Sequence, residues 1–223
     1  MNEIVSLIRR YHGALLDGAL TSLELAAIAW AGGLLLGVLL GIWRSSNIHG
    51  ARRRGVTLFS TVASSIPVMV YLLWCHYPLQ TLLGISVRPF ITAAAVFTFY
   101  NALTIGETVR AAVADLPLAF SMAAQATGVP RSIYIRYIMI PLALRAALPG
   151  YLVSQVAVLH LTLFASLISV DELFRVTQRI NALEYNAVGV FSLLALFYFV
   201  LSFPLLIVAR LANERLAKLG LDR

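Results

Sequence analysis

Long apolar runs without charge are the feature that most constrains how this chain can fold. Two of them read LLLGVLLGIW, beginning at Leu34, and FSLLALFYFVLSFPLLIV, beginning at Phe191. A helix needs about 20 apolar residues to cross the hydrocarbon core of a bilayer. The runs lack the alternation of inward and outward residues that a membrane barrel strand needs. They therefore indicate membrane-spanning helices.

Composition supports a membrane protein, because 60% of the 223 residues are apolar and only 12% are charged. The apolar residues fall into five blocks, which predict spans at about 19–43, 56–77, 89–109, 143–168 and 187–210. The amino terminus has no small-residue cleavage site before the first block, so we do not expect a cleaved signal peptide. The sequence predicts one all-α integral membrane domain, residues 1–223, with five transmembrane helices.

The distribution of cations predicts the orientation in the membrane. With the amino terminus outside, twelve of the 17 Lys and Arg residues lie in inner segments: Arg44, Arg52, Arg53, Arg54, Arg110, Arg131, Arg136, Arg145, Arg210, Arg215, Lys218 and Arg223. The outer segments hold Arg9, Arg10, Arg88, Arg175 and Arg179. Cytoplasmic loops are enriched in Lys and Arg, so the carboxyl terminus is predicted to be cytoplasmic. This asymmetry accounts for most of the net charge of +7, and no nucleic-acid partner is expected.

Several classes of function are excluded by residues that the chain lacks. Lys218 is the only lysine and no G-x-x-x-x-G-K precedes it, so there is no phosphate-binding P-loop. Cys75 is the only cysteine, and the four histidines show no metal-ligand spacing. We expect no catalytic residues, no metal and no cofactor in this chain. ATP and Mg²⁺, if used, would be bound by a partner ATPase.

The predicted loop at about 117–141, between the third and fourth spans, contains residues that are typical of helix ends and helix starts. Ser121–Thr127 favours a short helix, Gly128 can supply a left-handed residue to end it, and Pro130 suits the first turn of another helix. The second helix would place one apolar stripe on its surface: Ile133, Tyr134, Tyr137 and Ile138. The alternatives are a solvated basic loop and a rigid elbow that transmits a push to another protein.

The spacing of Ala123-Ala124, Gly128 and Ile140-Pro141 resembles the cytoplasmic "EAA" loop of permease subunits of bacterial ABC importers. Further matches, at Leu144–Pro149 and Asp171–Arg175, resemble the polar amino-acid branch that includes histidine, glutamate, glutamine, arginine and opine permeases. In that family the loop docks into a groove on the ATPase subunit. The resemblance therefore implies a coupling role for these loop residues: Ala123, Ala124, Gly128, Arg131 and Pro141.

The chain departs from the family pattern at three places. Met122 stands where the loop usually starts with Glu. Ser64–Pro67 replaces the Arg-Gly-Thr-Pro that the second span usually carries. His160–Leu163 replaces a Lys-Asp-Thr-Ser-like motif in the fourth span. Such changes favour one half of a heterodimer over a homodimer. Lost charges could equally indicate a different solute.

Polar residues within the spans are candidates for the solute path, because ionisable side chains in mid-bilayer cost about 2.5–3.5 kcal/mol. Asn101, Thr104 and Glu107 recur every three residues in the third span. In the fourth span His160 points away from the face that holds four other polar residues: Gln155, Thr162, Ser166 and Ser169. Two of these candidates have a structural alternative. Glu107 with Arg110 suits an ion pair, and His160 could be either a hydrogen-bonded core residue or a residue of the path.

The stripe of Gly33, Gly37 and Gly41 lets another helix approach the first span closely. Packing within one subunit is the expected role, ahead of a contact between subunits. The groove that these glycines leave along the first span therefore indicates a bundle of several helices.

Together these features predict a multi-pass permease subunit in the bacterial inner membrane, importing a polar amino acid. The resemblance implies a dimeric path, an ABC ATPase dimer, an extracytoplasmic amino-acid-binding protein and the lipid bilayer as partners. Two alternatives are an ion-gradient-driven secondary transporter of a small polar solute and a membrane scaffold without transport. The former is expected to show internal repeats and broken helices around mid-membrane acids.

The orientation gives a direct test by cysteine labelling. Cysteines at positions 53 and 131 should react with an impermeant thiol reagent only from the cytoplasmic side, and a cysteine at position 88 only from outside. The measurement is labelling of sealed vesicles of known orientation. The opposite pattern would overturn the five-span topology.

Overall fold

The fold is built from ten α-helices over the described residues, 2–46 and 51–218, of a computed structural model. The helices are α1 Asn2–Ser46, α2 Ala51–Ser65, α3 Val68–His76, α4 Pro78–Leu83, α5 Pro89–Ala114, α6 Leu118–Ala126, α7 Arg131–Tyr134, α8 Ile140–Leu161, α9 Leu173–Glu184 and α10 Ala187–Lys218. A π-helical segment, Ile135–Met139, joins α7 to α8, and a 3-10 helix, Thr162–Ile168, follows α8. The described ranges contain no strand, which confirms the all-α prediction.

Four helical stretches are long and apolar enough to cross a membrane: Ile4–Ser45, Pro89–Ala114, Arg131–Ile168 and Ala187–Arg215. A fifth span exists only if Leu58–Ser65 and Val68–Leu83, which meet at 88°, are counted as one. The predicted span at 56–77 therefore corresponds to this bent pair of helices. Pro67 has no N–H to donate, and it restricts Ile66 to extended conformations, so the helix breaks between them.

Helix α1 is much longer than the predicted span 19–43. Its 45 residues correspond to about 67 Å at 1.5 Å per residue, more than twice the thickness of the hydrocarbon core. The amino-terminal half is held by α9, because Leu7 and Leu15 share a buried core with Val176 and Ile180. The mixed-charge amino-terminal sequence is thus the partly buried first part of a helix.

Helices α1 and α5 run parallel and nearly touch. A methyl group built on Gly37 would lie 2.6 Å from Cβ of Ile105, and one on Gly41 would lie 2.6 Å from Cβ of Val109. Residue numbers rise in the same direction along both helices. The segment between the end of α1 and the start of α5 must therefore run back along the bundle. The glycine stripe is therefore used for packing within the subunit, as expected.

Glu172 caps the start of α9. Its buried carboxylate accepts hydrogen bonds from the backbone N–H groups of Phe174 and Arg175, both at 2.8 Å. The N–H of Leu173 donates to Ser22 Oγ of α1 at 3.1 Å. Burial raises the pKa of Glu172 to about 7, against the backbone hydrogen bonds, which favour the ionised form.

We expect overpacking at the α1–α5 contact to destabilise the subunit. Gly37→Val should lower stability by about 1–3 kcal/mol, because its Cβ has no room beside Ile105. Gly13→Val is the matched control, since a Cβ at Gly13 would meet nothing within 4 Å. The measurement is thermal unfolding of the purified subunit in detergent. Equal melting temperatures for both variants would contradict the close α1–α5 packing.

We also expect stability to depend on the proton of Glu172. Its folded pKa of about 7 exceeds the ordinary value of 4.5, so the folded state binds more protons between these values. Stability should therefore be greatest below about pH 4.5 and fall as the pH rises through about 7. Melting temperatures across this range should show the slope in the parent and a reduced slope in Glu172→Gln. Identical slopes would show that another group titrates.

Candidate functional site

The predicted elbow is present in the loop between the third and fourth spans. Gly128 has φ +70°, the N–H of Val129 donates to Ala124 O at 2.9 Å, and the N–H of Gly128 donates to Gln125 O at 3.1 Å. This pattern is a Schellman motif that ends α6. A Cβ at Gly128 would meet nothing within 4 Å, so the left-handed φ alone restricts this position to glycine.

The second predicted short helix is instead the beginning of the fourth span. Pro130 lies one residue before α7, outside its first turn, and its carbonyl accepts the N–H groups of Ile133 and Tyr134 at 3.0 Å each. The helix then continues through the π-helical segment into α8. That segment ends two residues before Pro141, whose missing N–H interrupts the α-helical hydrogen bonds there. Arg131 and Met139 are thus on one continuous helical rod.

The loop presents apolar side chains beside cations. Leu118 is 77% exposed, and Met122 and Tyr137 are each 66% exposed. The guanidinium of Arg136 lies 5.6 Å from the ring centre of Tyr137. Among the predicted coupling residues Ala124 is buried, whereas the other four are exposed: Ala123, Gly128, Arg131 and Pro141. Exposed apolar groups with a polar rim are typical of a protein interaction surface.

Asn101 joins three helices and is buried among them. The residue is fully buried, and its Nδ2 donates to Ala29 O at 2.9 Å and to Gln155 Oε1 at 3.0 Å. Trp30 Nε1 donates to Gln155 O at 3.0 Å. Gly33 makes room for this amide, since a Cβ there would lie 2.5 Å from Nδ2. We call this cluster of Asn101, Gln155 and Trp30 the amide junction.

Thr104 and Glu107 line a separate cleft between α5 and α8, of about 600 Å³. The predicted ion pair is confirmed, because Arg110 Nε donates to both carboxylate oxygens of Glu107, at 3.0 and 3.1 Å. Nη1 of Arg44, a buried residue near the end of α1, lies 3.1 Å from the same carboxylate. Sequence reasoning missed Arg44, because the contact depends on how α1 and α5 pack.

His160 and Thr162 point in different directions. Nε2 of His160, an exposed residue, lies 2.9 Å from Ser202 Oγ, and its ring meets Tyr198 edge-on at 5.9 Å. Thr162 is fully buried and donates to Leu159 O at 2.7 Å. The predicted path residues therefore divide into the amide junction, a polar cleft, an exposed histidine and a core threonine. Ser202 and Tyr198 could not have been paired with His160 from spacing, because they belong to α10.

No group of three or more His, Cys, Asp or Glu residues could hold a metal ion within the ranges 2–46 and 51–218. The polar residues of the spans instead make hydrogen bonds and ion pairs with one another.

Comparison with known proteins places these surfaces in a family. Residues 33–218 match the family described as the binding-protein-dependent transport system inner membrane component. The glutamine transport system permease protein GlnP of Escherichia coli (strain K12) is 29% identical over 203 residues, which cover 91% of this chain and 92% of that protein. The glutamate/aspartate import permease protein GltK of Escherichia coli O6:H1 is 26% identical, over 91% of this chain and 93% of that protein.

Solved structures share the fold. A structure described as an amino acid ABC transporter with histidines superposes with a TM-score of 0.85 at 21% identity, over 93% of this chain and 96% of that chain. An inward-facing MetNI methionine ABC transporter gives 0.78 at 18% identity, over 96% of this chain and 99% of that chain. The curated relatives are permease proteins, which are transport components and not enzymes. The family match spans more than four fifths of the chain and agrees with the loop resemblance, and the chain therefore belongs to the family of binding-protein-dependent transport system inner membrane components.

Proposed function

We propose that this chain is a permease subunit of an ATP-driven bacterial importer of polar amino acids, of the glutamine or glutamate type. The single observation that carries the proposal is the elbow at Gly128, which holds an exposed apolar and basic surface at the start of the fourth span. The family match and the printed functions of GlnP and GltK support the amino-acid class.

The elbow can act as a coupling element because it is attached to a long helical rod. The described helix runs without interruption from Arg131 to Ile168, through α7, the π-helical segment, α8 and the 3-10 helix. A partner that moves Arg131 therefore moves α8 as well. Gln155, near the middle of that rod, bonds to Asn101 of α5. Closure of two ATPase subunits beneath the loop would in this way switch the path between outward and inward openings.

The proposal includes the orientation and the partners. The loop and the carboxyl terminus would be cytoplasmic and the amino terminus external, as the cation distribution predicts. A second permease subunit would complete the path, with a heterodimer favoured over a homodimer because of the departures at Met122 and His160. ATP and Mg²⁺ would be bound by the ATPase dimer, and an extracytoplasmic binding protein would deliver the solute.

The broken second span favours one other function, an ion-gradient-driven secondary transporter. Such transporters use broken helices around a mid-membrane site, and α2 meets α3 at 88°. The break contains Ile66 and Pro67 and carries no acidic residue, which such a site would use for ion coupling. We therefore rank this function second.

We expect Gly128→Val to uncouple the complex. A β-branched residue at φ +70° costs about 1–2 kcal/mol, so the elbow would straighten in a substantial fraction of molecules. Stimulation of ATP hydrolysis by loaded binding protein should be lost in the reconstituted complex, together with transport. Gly84→Val is the matched control, because Gly84 has φ +64° and equal open space but lies after α4, away from the loop.

Gly84→Val should assemble and retain stimulated ATP hydrolysis, which separates backbone strain in general from strain at the elbow. Parent-like stimulation and transport in Gly128→Val, at equal yield of complex, would show that the loop is only a solvated connection. Uptake of glutamine, glutamate and aspartate should be measured first. Uptake driven by ATP should be compared with uptake driven by an ion gradient alone. Uptake driven by the gradient without ATP would favour the secondary transporter.

A further inference from the structure

We propose that Arg44 is a positioning residue for the loop between α5 and α7. Its ion pair with Glu107 fixes the end of α5, from which this loop starts, to the end of α1. The start of the loop then stays in place while its other end moves with α8. The proposal rests on the coupling role in the proposed function and adds the residue that anchors the loop.

Arg44 is a buried cation near the end of α1. Its side chain is 4% exposed, and its Nε is buried without a hydrogen-bond partner. Its Nη1 lies 3.1 Å from Oε2 of Glu107, the only carboxylate within ion-pair distance of Arg44 among the described residues. A buried guanidinium without a counter-charge is strongly unfavourable. Glu107 must therefore remain ionised and close to α1.

The reach of Arg44 agrees with the packing of α1 against α5. Gly41, three residues before Arg44, faces Val109 of α5. Side chains of a helix lean toward its amino-terminal end, so the guanidinium of Arg44 turns back along α1. This direction brings the guanidinium toward Glu107, which is two residues before Val109.

Arg110 also binds this carboxylate but makes no connection to α1. Its Nε donates to both carboxylate oxygens of Glu107, at 3.0 and 3.1 Å, and both residues belong to α5. The side chains of Arg110 and Glu107 are 35% and 52% exposed, and exposed ion pairs contribute little to stability. A pair within one helix cannot fix that helix to another. Arg44 is therefore the residue that connects the carboxylate with α1.

The ion pair lies close to the start of the loop. Glu107 is about two turns before Asp115, the residue that caps the end of α5, and α6 begins at Leu118. Asp115 extends the row of charges, because its carboxylate attracts Arg110 and lines the same cleft as Glu107. Alternating charges thus run from α1 to the end of α5. Restraint of Glu107 therefore also restrains the start of α6.

An anchored start determines where a push on the loop goes. A partner that displaces the elbow at Gly128 acts on α5 at one end of the loop and on α8 at the other. With α5 fixed to α1, the displacement is passed to α8. Without the Arg44 contact the end of α5 yields as well, and ATP is hydrolysed with a smaller movement of α8.

The first test measures the amount of amino acid transported per ATP hydrolysed in the reconstituted complex. Arg44→Gln should lower this ratio about threefold or more at equal yield of complex, because α5 is no longer held. Arg44→Lys keeps the charge and an N–H donor, and should recover most of the ratio. Arg110→Gln is the matched control, because it removes the exposed partner of the same carboxylate and leaves the contact with α1. It should keep the parent ratio.

A second measurement does not depend on transport. In a Cys75→Ser background, spin labels at Leu39 in α1 and Leu118 in α6 report the distance between α1 and the start of the loop; both side chains are exposed. Without ATP, the distribution of this distance should be narrow in the parent and in Arg110→Gln. It should be clearly broader in Arg44→Gln.

The proposal requires both results for Arg44→Gln. A parent-like transport ratio, or a distance distribution as narrow as that of the parent, would overturn it, and so would an equal loss of the ratio in Arg110→Gln. If Arg44→Gln does not assemble, Arg44→Met with Glu107→Gln, which removes both charges, takes its place in both measurements. A parent complex that hydrolyses ATP without transporting amino acid would contradict the proposed function, and the distance distributions would still show whether Arg44 fixes the loop.

Discussion

The amide junction is the interaction on which the rest of the structure depends. Nδ2 of the fully buried Asn101 donates to Ala29 O and to Gln155 Oε1, whereas its Oδ1 is buried without a hydrogen-bond partner. The two bonds join α1, α5 and α8. Gly33 is the complementary requirement, because any side chain there would displace the amide. The packing of α1 against α5 and the position of α8 are therefore set at one point.

The two ends of α8 differ in what they join. At its amino-terminal end α8 continues, through the π-helical segment and α7, to the elbow at Gly128 and its exposed surface. At its carboxyl-terminal end it leads to the start of α9, which is capped by Glu172 and bonded to α1 through Ser22. In the proposed function, the rod would pivot at the amide junction, so that movement of the loop end opens or closes the path.

The sequence predicted those features that depend on local chemistry. Gly128 ends a helix because only glycine takes φ +70° without strain, and the glycines of α1 predicted close packing by their spacing alone. The bend at Pro67 was not predicted, because the continuous apolar run outweighed the tendency of proline to end a helix. Features that depend on distant partners were not readable. Arg44 meets Glu107, and His160 meets Ser202, only because of how the helices pack.

A pivot at the amide junction is the central claim, and electron-spin distance measurements test it most directly. Spin labels would be placed at Gln125 in the loop and at Val153 in α8, with a second pair at Gln125 and Leu39 in the inner part of α1; all three side chains are exposed. On addition of ATP to the reconstituted complex, the distance from Gln125 to Val153 should stay constant, and the distance from Gln125 to Leu39 should change. A change in the first distance with none in the second would show that the elbow moves independently of α8, and would contradict the pivot.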